Sequence, residues 1–486
     1  MLFNSYEYIF IFLPLVFFIY FFLNKKRLTT ASSSFLVFAS LFFYSWWNIS
    51  YLPLILISIL FNYTVGSILS KGNESKIPKK SILTFGISCN LVLLVYYKYA
   101  DFFIENINYV TNQHFNLLHL LLPLAISFFT FQQIAYLVDS FKGETKEYNF
   151  LNYALFVTFF PQLIAGPIVH HKEMMPQFTK SKNMVINYKN IAYGLFIFSI
   201  GLFKKVIIAD TFAKWANAGF DHSTVLTFFE AWSTSLSYTF ELYFDFSGYT
   251  DMAIGSALLF NIKLPINFNS PYKALSIQDF WRRWHITLSR FLKDYIYIPL
   301  GGNRKGGART YINIMITFIL GGIWHGAGWT FILWGTLHGL ALSIYRLWKN
   351  FGFKMNKYIA WFITFNFVNA TWVFFRAKEW GDVAKVFKGM VGKNGIMVDK
   401  GLHRVVEFLN LSSYIKYGKL FGTSVSQHGS YKWIIVATIL ILVAKNSNQI
   451  IDRIKLSTQI AFCMSVISVY AIFNLTHVSE FLYFNF

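Results

Sequence analysis

Two histidines stand where histidines are costly. His325 lies in Gly321-Gly322-Ile323-Trp324-His325-Gly326-Ala327-Gly328-Trp329, with apolar sequence on both sides. An ionisable side chain inside such a run is a functional candidate. A neutral imidazole there can act as a general base near pH 7, and the glycines let a chain or a thin substrate come close. His285 lies in Phe280-Trp281-Arg282-Arg283-Trp284-His285-Ile286-Thr287-Leu288-Ser289-Arg290, and Tyr295-Ile-Tyr-Ile-Pro-Leu-Gly-Gly-Asn303-Arg304-Lys305 follows. On one helix Trp281, Trp284, His285 and Leu288 share a face, leaving Arg282, Arg283 and Arg290 to point elsewhere. Guanidinium groups match phosphate oxygens bidentately. This cluster, with Arg304 and Lys305 close behind, could therefore hold an anionic donor such as the phosphates of coenzyme A. The plainer account is an interfacial helix with a Trp belt and snorkelling arginines. A third cluster, Glu241-Leu-Tyr243-Phe-Asp245-Phe-Ser-Gly-Tyr249-Thr-Asp251, sets three carboxylates in apolar sequence. Asp245 and Asp251 could pair with the arginines or the histidines, in a structural network or a catalytic one. His338 reads as a helix-contact residue. His170-His171 lacks metal spacing, so no metal site is expected.

The elements that must position these residues are strongly apolar. Of 486 residues 55% are hydrophobic and 13% charged, about half the ~25% charge of a soluble domain. The 56 Phe, 14 Trp and 29 Tyr exceed what one soluble core hides, which points to an all-α integral membrane protein. A bilayer-crossing helix needs about 20 apolar residues. Runs of that kind fall near 8–23, 33–47, 52–69, 82–99, 115–138, 151–168, 191–209, 225–260, 311–345, 358–375, 433–446 and 458–475. They predict about eleven crossings with one or two re-entrant pieces. The 225–260 run is too long for one simple crossing, and the glycines of 311–345 predict a break. The first run has no basic region before it and Lys25-Lys26-Arg27 after it, which predicts a retained span with its N-terminus outside.

Basic loops at 25–27, 70–81, 170–190, 261–310, 346–357 and 445–455 then fall in the cytoplasm and the C-terminus outside. The excess of 43 Lys+Arg over 22 Asp+Glu thus reads mainly as topology. Two features resist: Lys204-Lys205 within an apolar run, and nine basic residues in 376–431. The polar segment 261–310 is expected at the cytoplasmic interface. Cys89 and Cys463 read as inert thiols in apolar runs. Basic residues scattered over short loops speak against nucleic acid.

Taken together and in order, these motifs resemble the membrane-bound O-acyltransferase (MBOAT) family, closest to its bacterial branch of alginate O-acetylation and peptidoglycan O-acetyltransferase membrane subunits. Leu122-Pro-Leu-Ala-Ile-Ser-Phe-Phe-Thr-Phe-Gln-Gln-Ile-Ala-Tyr-Leu-Val-Asp139, Phe160-Pro-Gln-Leu-Ile-Ala-Gly-Pro167, Tyr243-Phe-Asp-Phe-Ser-Gly-Tyr249 and Phe374-Phe-Arg376 after Trp372 carry it too. The resemblance covers nearly the whole chain. It implies one polytopic domain over 1–486: a ring of about eleven transmembrane helices, with re-entrant and interfacial helices, around a central tunnel. Acetyl-CoA would enter from the cytoplasm and the acceptor from the other face. By motif match His325 is the invariant family histidine and His285 its polar partner; Trp281, Trp284, Trp324 and Asp245 beside them would line the tunnel. The ending Phe481-Leu-Tyr483-Phe-Asn-Phe486 resembles a tail of this branch in which a terminal tyrosine relays the acyl group, with 476–486 outside the membrane.

The expected role is export of acetyl, within the bacterial inner membrane and with both termini periplasmic. The recipient would be a periplasmic SGNH or serine esterase-like O-acetyltransferase, and the final acceptor a surface polysaccharide. Peptidoglycan is the first choice, alginate or another exopolysaccharide the second, and D-alanyl transfer is less favoured. The alternative class is a transporter or flippase without covalent chemistry.

Overall fold

The structure, a computed structural model, describes residues 1–70, 77–145, 149–164, 166–398, 407, 415–418, 421, 430–451, 453, 457–475 and 482. These residues are mostly helical. Among the described residues, five helices are long and apolar enough to cross a membrane: Glu7–Lys25, Ile49–Ser70, Lys79–Thr111, Tyr188–His222 and Lys357–Arg376. Ser430–Val443 and Thr458–Phe473 are shorter and equally apolar. Helix suits this setting because it satisfies each backbone N–H and C=O within its own segment, where lipid offers no partner. Among the described residues the strands are Ile396–Val398 and Ile415–Tyr417, paired in parallel with Ile396 opposite Ile415.

The chain divides into two compact units. The first comprises 1–202, 249–267 and 451–486. Its helices are clasped by polar pairs. Asn62 and Asn90, both buried, exchange amide hydrogen bonds of 3.1 and 2.7 Å, joining Ile49–Ser70 to Lys79–Thr111. The Tyr8 hydroxyl donates to Ser256 at 2.7 Å. Gly194 and Gly255 bring two backbones together, since a Cβ on Gly255 would lie 2.6 Å from the Gly194 carbonyl oxygen. Small residues at such contacts let membrane helices approach closely.

The second unit, 203–248 and 268–450, holds both histidine clusters and the carboxylates Glu241 and Asp245 of the third. The run at 311–345 does break. Gly307–His325 ends at the histidine, Gly326 and Gly328 are extended, and Trp329–Asn350 returns. The two helices pack glycine on glycine. A Cβ on Gly335 would meet the Phe318 carbonyl oxygen well inside van der Waals distance, and one on Gly322 would meet that of Phe331. Gly322, within the motif expected to let a chain come close, thus admits the neighbouring helix. The 225–260 run is, as expected, too long for one simple crossing. It is a single helix, Phe228–Leu259, of 32 residues, roughly 48 Å at 1.5 Å per residue and so longer than the roughly 30 Å hydrocarbon core.

Gly335→Val should lower stability by about 1–3 kcal/mol through overpacking, read as a reduced Tm in detergent. Gly328→Ala, whose methyl group would meet nothing closer than 3.6 Å, should leave Tm unchanged. An unchanged Tm in Gly335→Val would refute the close helix pairing.

Candidate active site

His325 is the last residue of its helix, and the extended glycine behind it turns the chain away at once. The side chain is therefore held by a rigid element yet stands at its end. It is 3% exposed. Three helices supply its ring neighbours: Trp324 at 4.8 Å, Trp334 at 5.1 Å and nearly perpendicular, and Phe375 at 5.0 Å. Trp334 in turn stacks on Trp372 at 5.7 Å, and Trp372 meets Phe375 at 5.2 Å. Trp334 is adjacent to Gly335, so the glycine contact that joins the helix pair also brings this indole to the imidazole.

His285 reaches the same cluster by a different device. Ser276 caps a short helix by accepting the Asp279 N–H at 3.1 Å, and the helix Ile277–Arg283 then stops. Trp284 is extended, and His285 takes a left-handed conformation at φ 42° before Ile286–Leu292 begins. The expected single helix through 280–290 is therefore two. A non-glycine residue at positive φ is strained, a cost met by surrounding packing. The break keeps Trp281, Trp284, His285 and Leu288 all buried, although they share no helix face. The His285 ring stands edge-on to Phe246 at 4.8 Å and lies 6.2 Å from Trp324. Trp324 therefore neighbours both histidines. Burial pushes the His285 imidazole from 6.5 down to about 3, so it stays neutral at physiological pH. The unfolded chain protonates it near 6.5, so this group costs stability as pH falls from 6.5 towards 3 and nothing above that window.

A cavity of about 670 Å³ opens in the same unit, and Arg282, Lys293, Arg304 and Arg346 contribute cations to its lining. The Gly301-Gly302 turn beside it runs at φ 108° and 54°, and Asn313 donates to the Gly302 carbonyl at 2.9 Å. Only glycine accepts such values without strain. Of the five predicted donor-binding residues, Arg282 and Arg304 line this cavity, while Arg283, Arg290 and Lys305 are not among its lining residues. Arg283 bonds instead to Asp279 at 2.9 Å and to the Asn269 carbonyl at 3.3 Å. Lys293 and Arg346 escaped sequence reasoning because one flanks the arginine cluster and the other simply ends an apolar run.

Trp281 forms part of the cavity wall and lies 5.8 Å from Trp334. Two ring contacts, Trp281 to Trp334 and Trp334 to His325, thus connect the basic cavity with the imidazole. Trp281 is held by its indole N–H, which donates to His338 Nδ1 at 3.1 Å. An indole can only donate, so His338 carries its proton on Nε2 and gives it to the Thr371 hydroxyl at 3.1 Å. Thr371 passes a hydrogen bond on to the Val368 carbonyl. His338 is a helix-contact residue, as expected.

Asp245 is buried against Lys205. It accepts an ion pair from Lys205 at 2.6 Å, and Lys205 also reaches Asp210 at 3.1 Å. This triad accounts for a lysine within an apolar run, since a buried cation needs a buried partner. Trp284 packs on Phe268 and Trp372, each at 5.0 Å. Tyr483 lies outside the described residues.

Comparison with known proteins adds to this geometry. The sequence profile of the membrane-bound O-acyltransferase family (MBOAT) matches residues 140–378. A protein of Helicobacter pylori named peptidoglycan O-acetyltransferase is 50% identical, across all of this chain and 98% of its own length. A probable alginate O-acetylase of Pseudomonas aeruginosa is 40% identical over 80% of this chain and 75% of its own. A teichoic acid D-alanyltransferase of Bacillus subtilis is 31% identical over 49% of this chain and 61% of its own.

Lys205→Met strands the Asp245 carboxylate and should cost about 3–5 kcal/mol, measured by thermal denaturation in detergent. Adding Asp245→Leu should restore most of the loss. A single variant as stable as the parent would show that the triad carries no structural weight.

Proposed function

Because this chain belongs to the membrane-bound O-acyltransferase family and is an acyltransferase carried in a membrane, we propose that it takes acetyl from cytoplasmic acetyl-CoA and passes it outward for O-acetylation of peptidoglycan. The single observation that carries the donor half is the basic cavity joined through Trp281 and Trp334 to His325. The acceptor half rests on the full-length relative that bears the peptidoglycan name. Alginate or another exopolysaccharide is the second reading, favoured by the 40% relatives.

Arg282 and Arg304, joined by Lys293 and Arg346, hold the donor phosphates, with Arg283, Arg290 and Lys305 adding positive charge around them. His325 is the general base. His285, neutral and linked through Trp324, is its polar partner. In the relay the Tyr483 oxygen attacks the thioester carbonyl carbon and the C–S bond breaks. The phenolic proton, with a reference pKa of about 10, passes to His325 and then to the departing thiolate. Acetyl-tyrosine then gives its acetyl group to a periplasmic SGNH or serine esterase-like partner. This scheme requires one polytopic domain over 1–486 in the bacterial inner membrane, about eleven spans around a tunnel that Trp281, Trp284, Trp324 and Asp245 line. It also requires 261–310 at the cytoplasmic interface, and 476–486 and both termini on the periplasmic side.

Replacing the chromosomal copy by His325→Ala should remove base-labile acetate from isolated sacculi while the protein remains in the membrane at its usual level. Unchanged sacculus acetylation would refute the assignment; loss confined to an exopolysaccharide would move it to the second reading. Arg282→Ala with Arg304→Ala should raise the KM for acetyl-CoA on the order of 10-fold or more, with a smaller change in kcat. Unchanged kinetics would remove the cavity from the donor site. Tyr483→Phe should stop transfer to the partner, and mass spectrometry of the C-terminal peptide should find acetyl on Tyr483 only in the parent. Full transfer by Tyr483→Phe would end the relay.

A further inference from the structure

The aromatic cluster around His325 contains an imbalance that packing does not explain. Trp281, Trp232 and Trp361 each place the indole N–H on an acceptor, at 3.1, 3.2 and 2.9 Å. Trp334 and Trp372 do not. Both are 1% exposed, and neither Nε1 has a hydrogen-bond partner among the described residues. Buried donors are rarely left so, and hydrocarbon supplies no water to replace the missing acceptor. The two indoles lie almost parallel, 19° apart with centroids at 5.7 Å, and Trp334 abuts the His325 ring at 5.1 Å. One buried neutral donor thus stands beside the group assigned as general base, and the ring that bears the second is stacked against it.

Acyl transfer creates a demand that matches this supply. When a hydroxyl oxygen attacks the thioester carbon, the carbonyl C=O becomes a C–O single bond bearing negative charge. The charge returns to a C=O when the C–S bond breaks. His325 takes the hydroxyl proton and cannot also stabilise that oxygen. Donors fixed before the reaction stabilise such an oxyanion most where water is excluded. We infer that the indole N–H groups of Trp334 and Trp372 form the oxyanion site, donating to the carbonyl oxygen of the acyl thioester. The inference rests on the donor reading above and deepens it.

The whole protein in lipid nanodiscs, given acetyl-CoA labelled with carbon-13 at the thioester carbonyl, provides the test. Infrared difference spectra should show the bound carbonyl band below its position in free acetyl-CoA, as a hydrogen-bonded C=O requires. Trp334→Phe and Trp372→Phe should each move the band back towards the free position. Trp334→Phe should lower kcat on the order of 100-fold, with the KM for acetyl-CoA within about threefold. Trp215→Phe is the control: its indole N–H is equally buried and without a partner among the described residues, but its ring packs on Phe212. It should change neither band nor kcat.

If either Phe variant misfolds, 3-benzothienylalanine at the same position keeps the ring volume, removes the N–H and should give the same two effects. A bound band at the free position, or Trp334 and Trp372 variants with unaltered band and kcat, would overturn the inference and return both N–H groups to packing. His325→Ala separates the two ideas, because it should abolish turnover while leaving the shifted band in place. A parent protein that neither binds nor turns over acetyl-CoA would overturn the donor reading and this inference together.

Discussion

A polar group in hydrocarbon must find its partner within the protein, and this constraint organises the molecule. Where partners are satisfied, they are structural. Asn62 with Asn90 clasps two helices, Lys205 with Asp245 and Asp210 neutralises a charge inside an apolar helix, and His338 bridges Trp281 to Thr371. The low dielectric that strengthens each bond also makes an unmade one expensive. Trp334 and Trp372, whose indole N–H groups have no partner among the described residues, differ from other such groups in lying in the ring cluster that contains His325.

The histidines illustrate a second consequence. Neither sits in mid-helix, where its backbone would be fully committed. His325 closes one helix, and His285 occupies the strained residue between two short ones. Helix ends free the chain to change direction, so side chains from several elements can converge on one point. The convergence itself depends on the bare backbones of Gly322 and Gly335, which bring Trp334 beside His325. A residue with no side chain thus sets the distance between residues that have chemistry.

Charge follows the same logic on a larger scale. The net +21 is spread among loops, and much of it is a consequence of crossing a bilayer. What distinguishes the basic cavity is convergence of the charge. Arg282, Lys293, Arg304 and Arg346 come from different stretches of chain onto one volume of about 670 Å³, while their neighbour Arg283 is diverted to Asp279.

Composition and hydropathy by themselves determined that the chain is helical and membrane-embedded, because apolar runs of bilayer length have few other solutions. Motif order made the family legible, and glycines announced the break at 326–328. The rest was decided by tertiary structure, for physical reasons that have no local signal. A helix period is valid only while the helix lasts, so the break at Trp284 and His285 overturned a face that spacing predicted. An ion pair depends on which helix lies alongside, so nothing local announced that Asp245 would meet Lys205, 40 residues earlier in the chain. The positions of Trp334 and Trp372 near His325, and of Lys293 and Arg346 on the cavity, likewise emerged only from proximity across helices, since a side chain's type is written in the sequence but what it faces is settled by packing.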